Sequence, residues 1–306
     1  VEDEPGTPRY CGERGGDGKA AWKATLHGAE NVTTALQFHV RSGAAELGST
    51  SPMLRIFLAP LAIVAFLYLG ICVALFAGQR SLIYYPQPSA IRSPASMLKL
   101  PVAGADLLVS VRPHQGPNAL IYFGGNGEDV SLNLPSFSDA FPAHAIYLLH
   151  YRGYGGSTGR PSEEALHQDA LALFDKVHAE HPNTVVVGRS LGTGVAGRLA
   201  SNRPVSRLVL ITPFDSLQEI AARQFPYLPV RWLLIDKFES RQYAPRITVP
   251  TLLLAAEHDE VIPRASTDQL YARFGKGIAS LEVIPATSHN TISGSPQYLA
   301  LLKAAL

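Results

Sequence analysis

Residues 184–200 read TVVVGRSLGTGVAGRLA. The run Thr184-Val185-Val186-Val187 is β-branched and predicts a short buried strand, and directly behind it Leu191, Val195 and Leu199 fall on one face of a helix. Between them stands Gly188-Arg189-Ser190-Leu191-Gly192, a G-x-S-x-G on a strand-to-helix turn. Such a turn is so sharp that small residues must flank the serine. It lifts the hydroxyl off the sheet and frees the Leu191 N–H, at the helix N-terminus, to stabilise an oxyanion. Ser190 is therefore the candidate nucleophile and Leu191 the first oxyanion donor.

Two competing patterns test this reading. Gly155-Gly156-Ser157-Thr158-Gly159 satisfies the same spacing, but loop-like residues precede it and Arg160-Pro161 separates it from the next helix. Gly192, Gly194 and Gly197 spell G-x-G-x-x-G with Asp215 about 20 residues on, the fingerprint of a dinucleotide site. The first of these glycines comes too late, because a nucleotide loop opens directly at the strand end. They fit instead as small residues that let a helix pack closely on a sheet.

The chain has 306 residues, 46% of them hydrophobic, enough for one sizeable core plus appendages. A net charge of +1 gives no electrostatic reason to expect a nucleic-acid partner. Of the two cysteines, Cys11 lies near the start and Cys72 in an apolar run, which excludes a disulfide framework and a thiolate metal site. No residue pair has metal-ligand spacing, and no cofactor is expected.

Residues 1–52 have little apolar periodicity and read as a disordered tail or as an over-extended gene model ahead of Met53. Residues 56–78 carry no charge; about 20 such residues cross a bilayer as a helix, so 53–80 is expected to be an uncleaved single-pass anchor. Arg41 and Arg55 on one side balance Arg80 and Arg92 on the other, and set no orientation. After the short piece Ser81-Leu82-Ile83-Tyr84-Tyr85-Pro86, strands are expected near residues 97–100, 106–112, 119–123, 145–149, 207–211, 251–255 and 280–284, with helices between the later ones. That alternation predicts an α/β fold with a mostly parallel sheet covered on both faces. Ser162 is expected to cap the helix that Glu163-Glu164 begin, and Arg152 to form a structural ion pair. Residues 213–246 break the rhythm; Phe214, Phe225, Tyr227, Trp232 and Phe238 among prolines suit a small cap or ordinary core.

A serine hydroxyl becomes a nucleophile when an imidazole takes its proton and a carboxylate orients that imidazole. In the order Ser, acid, His, Asp259 follows the strand at 251–255, and His289 follows the last strand. Glu257, Glu260, Asp215 and Asp236 are the alternative acids, and His258 is the rival histidine, read as a surface residue. Gly124-Gly125-Asn126-Gly127 empties from the strand at 119–123 without the Lys and Ser/Thr of a P-loop, and offers a second oxyanion N–H at Gly125 or Asn126.

With these residues in view, residues 53–306 resemble the α/β-hydrolase superfamily, in the single-pass, membrane-anchored group related to the yeast bud-emergence hydrolase. The resemblance rests on the anchor followed by Gln79-Arg80-Ser81-Leu82-Ile83-Tyr84-Tyr85-Pro86, on Gly125-Asn126, on Tyr151-Arg152-Gly153-Tyr154-Gly155, on Gly188-Arg189-Ser190-Leu191-Gly192, on Asp259-Glu260-Val261-Ile262-Pro263 and on His289. It departs at Gly124, where the family usually has His. The likeness implies an eight-stranded sheet with a short cap, and hydrolysis of esters, thioesters or lipids; relatives include lysophospholipid lipases and depalmitoylases, and many members resemble serine aminopeptidases. The expectation is a membrane-anchored serine esterase acting on a small-molecule or lipid ester through Ser190, Asp259 and His289. A peptidase and a non-catalytic scaffold are the alternatives.

Overall fold

The β-branched and aliphatic runs expected as strands form one eight-stranded sheet in a computed structural model that describes residues 52–90 and 96–306. The tail or over-extended start expected over residues 1–52 lies, up to residue 51, outside the described residues. The strands are β1 (Met97–Val102), β2 (Ala105–Arg112), β3 (Asn118–Phe123), β4 (Ala145–His150), β5 (Asn183–Arg189), β6 (Arg207–Ile211), β7 (Thr251–Ala256) and β8 (Ala279–Ile284). Their order is β1-β2-β4-β3-β5-β6-β7-β8, with β2 antiparallel to both neighbours and every other pair parallel. The hairpin from β1 to β2 turns through Gly104 at φ 76°, a left-handed conformation that a glycine adopts without strain.

Side chains alternate across the strands into two cores. Ala119, Ile121 and Phe123 of β3 face α3 (Glu163–Glu180) and α4 (Leu191–Ala200), whereas Leu120 and Tyr122 face α2 (Leu134–Ala140) and α9 (Pro296–Ala305). Burial on both faces explains why the central strands read as unbroken apolar runs. The expected helix face of Leu166, Leu173, Phe174 and Val177 is wholly buried on α3, whose start Ser162 caps by accepting from the Ala165 N–H at 3.2 Å. Arg152 pairs with the buried Asp169 at 2.7 Å.

Two compact units divide the chain: residues 1–62, whose described part is the start of helix α1 (Pro52–Ile83), and residues 63–306, which hold the rest. The helix continues to Ile83, so Ser81-Leu82-Ile83 belongs to it and is not a separate piece; it runs through Pro60, and the next proline, Pro86, follows its end. Its stretch Arg55–Ile83 is long and apolar enough to cross a bilayer. Between β6 and β7 the chain forms α5 (Leu217–Gln224), α6 (Val230–Leu233) and α7 (Ser240–Tyr243), and α8 (Arg264–Tyr271) lies between β7 and β8. The aromatics of this insertion divide: Phe214 and Phe238 are core, while Tyr227 and Trp232 are almost fully exposed.

In-register parallel pairing brings the C-terminal ends of β3, β5, β7 and β8 to one edge, where Phe123 lies opposite Gly188 and Ala256 opposite Ile284. The loops that leave these ends carry Gly125, Ser190, Asp259 and His289. In open α/β sheets this edge is where ligands bind.

Candidate active site

At the end of β5, Ser190 adopts φ 50° and ψ −118°, a strained conformation for a residue with a side chain. Its neighbours permit the turn. A Cβ on Gly188 would stand 2.4 Å from the Gly192 carbonyl oxygen, and one on Gly192 would stand 2.1 Å from that of Phe123. Close packing accounts for two of the three glycines of the G-x-G-x-x-G spelling: Gly192 sits inside α4 where the helix meets β3, and Gly194 where it meets Phe238. Gly197 requires correction, because a Cβ there would meet open space and no close approach calls for a glycine. The second G-x-S-x-G forms a loop in which the buried Ser157 donates to the His150 carbonyl and accepts from the Leu108 N–H.

The imidazole of His289 lies between two groups. Its Nε2 is 2.9 Å from Ser190 Oγ, and its Nδ1 is 3.0 Å from each carboxylate oxygen of Asp259. With the Nδ1 proton on the Asp259 side, Nε2 presents its lone pair to the serine hydroxyl. Asp259 is held in turn: its Oδ1 accepts from the Val261 and Ile262 N–H groups at 3.0 and 2.7 Å. The alternative acids are engaged elsewhere. Glu260 accepts from the His289 backbone N–H, Glu257 from that of Ala286, Asp215 from the Ser266 hydroxyl, and Asp236 from Arg80 and Tyr84. His258 is exposed and borders only Glu257 among the charged groups described.

Leu191 opens α4, where first-turn N–H groups have no intrahelical acceptor. Of the two residues expected to supply a second donor, Gly125 requires correction. Its N–H donates to Glu128 Oε2 at 2.7 Å and is not free. Asn126 remains, and its peptide is pinned: its carbonyl accepts from the Tyr85 N–H (3.0 Å) and the Tyr154 hydroxyl (2.6 Å), and its side chain donates to the Ile83 carbonyl (3.1 Å). Tyr151 fixes the preceding residue through its hydroxyl, 2.9 Å from the Gly124 carbonyl. The tyrosines of Tyr151-Arg152-Gly153-Tyr154-Gly155 thus position this loop.

Sequence reasoning missed Glu128. Its carboxylate accepts from the Tyr122 hydroxyl, the Gly125 N–H, the Asn133 amide and the Arg189 guanidinium. Burial first, and then the neighbouring Glu128 charge, hold the Tyr122 hydroxyl well above the ordinary tyrosine range. Arg189 also reaches the His289 carbonyl at 3.3 Å, so it bridges the loops that carry Asn126 and His289. The one available signal was an acid three residues beyond Gly125, within reach of its N–H.

Ser190, His289 and Asn126 open on a cavity of about 730 Å³, walled otherwise mainly by leucine, isoleucine, valine and phenylalanine from the end of α1, from α5 and α6, and from the loop after β7. Its size falls in the roughly 300–1,000 Å³ range of small-molecule sites. The arrangement can take a proton from a hydroxyl, hold the resulting imidazolium against a carboxylate, and seat an apolar chain beside the reacting atom.

Comparison with known proteins agrees in fold. A family model described as α/β hydrolase fold matches residues 118–234, and one described as serine aminopeptidase, S33, matches residues 235–295. An uncharacterized protein of Mycobacterium tuberculosis is 34% identical over 251 residues, spanning 75% of this chain and 86% of its own length. Protein bem46 of Schizosaccharomyces pombe is 29% identical over 60% of this chain and 65% of its own. The mouse lysophosphatidylserine lipase ABHD12 is 32% identical over 50% of this chain, which spans only 44% of that lipase. Among solved structures, an esterase of Pyrococcus furiosus superposes with a TM-score of 0.58 at 19% identity, over 73% of this chain and 98% of its own.

Proposed function

Because the chain belongs to the α/β-hydrolase family, among relatives of the Bem46 type, we propose that it is a membrane-anchored serine hydrolase that cleaves carboxylic esters or thioesters through an acyl-enzyme on Ser190. The observation that carries this reading is the single imidazole of His289 within hydrogen-bonding distance of Ser190 on one side and Asp259 on the other. Ser190 Oγ attacks the carbonyl carbon while His289 Nε2 takes its proton, and Asp259 stabilises the imidazolium. The N–H groups of Leu191 and Asn126 receive the oxyanion, each worth on the order of a hundredfold or more in rate. The imidazolium returns the proton to the departing alcohol or thiol. Water, activated by the same imidazole, then releases the acid and restores Ser190.

A lipid-derived ester is the favoured substrate class. The cavity beside Ser190 is largely apolar, a relative is named as a lysophosphatidylserine lipase, and Arg55–Ile83 has the length and composition of a membrane span. The match of residues 235–295 to a serine aminopeptidase family favours a second reading, hydrolysis of peptides. An aminopeptidase needs an acid to receive the substrate ammonium, and Glu128, an acid on the cavity wall, is already committed to Arg189. Two measurements test the proposal. A fluorophosphonate probe labels the parent and not Ser190→Ala; equal labelling of both sinks the assignment. p-Nitrophenyl esters are turned over faster than amino-acid anilides; the reverse order selects the peptidase.

A further inference from the structure

The end of α1 is part of the cavity wall. Leu75, Phe76, Gln79, Leu82 and Ile83 all line it, together with residues of α5 and α6. A helix rises about 1.5 Å per residue, so the 29 residues of Arg55–Ile83 extend about 43 Å, against about 30 Å for the bilayer core. About 20 residues suffice to cross, and counted from Arg55 the remainder begins at Leu75. The surplus coincides with the residues that face the cavity.

This end of the helix is also locked to the insertion between β6 and β7. The side-chain amide of Gln79, buried at 8% exposure, makes two backbone hydrogen bonds there: its Nε2 donates to the Leu233 carbonyl at 3.1 Å and its Oε1 accepts from the Ile235 N–H at 2.7 Å. One residue on, Arg80 Nε lies 3.0 Å from the buried Asp236, which also accepts from the Tyr84 hydroxyl at 3.1 Å. About three turns earlier, the Tyr68 hydroxyl donates to the carbonyl of Tyr227, whose ring, like that of Trp232, is exposed. Tyrosine and tryptophan concentrate where membrane meets water.

We infer that the last turns of α1 are a fixed wall of an acyl-chain site, so that the helix that anchors the protein also selects the substrate, an ester of one unbranched acyl chain that enters from the bilayer along Leu75 and Leu82. The inference rests on the proposed hydrolase function. The cavity is continuous with Ser190 and its wall on the side of α1, α5 and α6 is hydrocarbon except for Gln79, so the occupant there is the acyl part of the ester. Each methylene buried against that wall strengthens binding about fourfold.

The test uses the full chain in detergent and compares kcat/KM for p-nitrophenyl acetate, octanoate and palmitate. Leu75→Trp fills the site and lowers the octanoate-to-acetate ratio roughly tenfold or more, the loss of two or more methylene contacts. Phe76→Ala enlarges the site and raises the palmitate-to-octanoate ratio. Leu67→Trp, on the same helix but away from the cavity, keeps the parent profile. An unmoved ratio in both wall variants, with fluorophosphonate labelling intact, overturns the inference alone; so does a shift by Leu67→Trp as large as that by Leu75→Trp. A parent that takes no label overturns the hydrolase reading, and the inference with it.

Discussion

Arg189 and Glu128 meet at 3.2 Å, one contributed by the turn that carries Ser190 and the other by the loop that carries Asn126, with side chains only 15% and 12% exposed. Removal of one member of a buried pair leaves the other charge without compensation, which costs about 3–5 kcal/mol. Arg189→Met is therefore expected to lower unfolding stability by about that amount in urea titrations. The double variant Arg189→Met with Glu128→Gln recovers part of the loss. Since Arg189 also donates to the His289 carbonyl, kcat falls more than KM rises. Arg189→Lys does not rescue kcat, because an ammonium cannot present the two separated N–H groups of a guanidinium. Equal stability of Arg189→Met and the parent would remove Arg189 as a bridge.

The backbone of Ser190, at φ 50°, predicts a difference between two variants that both lack the hydroxyl. Ser190→Ala keeps the strain, of order 1–3 kcal/mol, whereas Ser190→Gly releases it against a glycine entropy cost of about 0.5–1 kcal/mol. Ser190→Gly is expected to melt a few degrees above Ser190→Ala, at about 2–4 °C per kcal/mol for a unit of this size. Neither takes a fluorophosphonate. A lower melting point for the glycine variant would show that the turn is not strained.

Most of this architecture was legible because it is written locally. Val185 to Val187 are buried on both faces and so read as one apolar run, and Gly188 and Gly192 mark close approaches that any side chain would block. What stayed illegible depends on contacts between distant segments. Asp236 was an eligible acid by type, and only its pairing with Arg80 and Tyr84, more than 150 residues earlier, assigns it a structural part. Burial first, and then the Asp236 charge, hold that Tyr84 hydroxyl well above the ordinary range. The role of Glu128 was hidden for the same reason, because Arg189 stands 61 positions away. The continuation of α1 to Ile83 escaped notice because Arg80 ends the charge-free run, whereas the helix runs three residues beyond that charge.

Asp259 and its rivals are separable by rate. Asp259→Asn leaves a side chain of the same shape that favours the wrong imidazole tautomer, and kcat on p-nitrophenyl butyrate is expected to fall by up to about ten-thousandfold. Glu257→Gln keeps an acceptor for the Ala286 N–H and stays close to the parent. If Asp259→Asn and Glu257→Gln had similar rates, the carboxylate 3.0 Å from His289 Nδ1 would not orient it.

His150 gives the fold a dependence on acid that is independent of catalysis. Burial pulls its imidazole down to about 4, and Ser110 Oγ holds its Nε2 at 2.8 Å. A Cβ on Gly155 would stand 2.1 Å from its Nδ1, so the ring is enclosed. The folded-state value lies below the unfolded value of about 6.5, so the stability is fully present above that pH. As pH falls from about 6.5 to about 4, the unfolded chain binds a proton that the folded chain refuses, and stability drops by up to about 3 kcal/mol. His167, lowered to about 4 by burial and then by the Arg198 charge, adds a second slope in the same window. His144, lowered by burial and then by the Arg112 charge, acts in the same direction. His150→Gln, which can still bond Ser110, is expected to remove its own share, seen as a shallower fall of urea-unfolding free energy between pH 6.5 and 4. An unchanged slope in His150→Gln would mean that the ring is protonated inside the fold, and that its enclosure by Gly155 and Ser110 opens in acid.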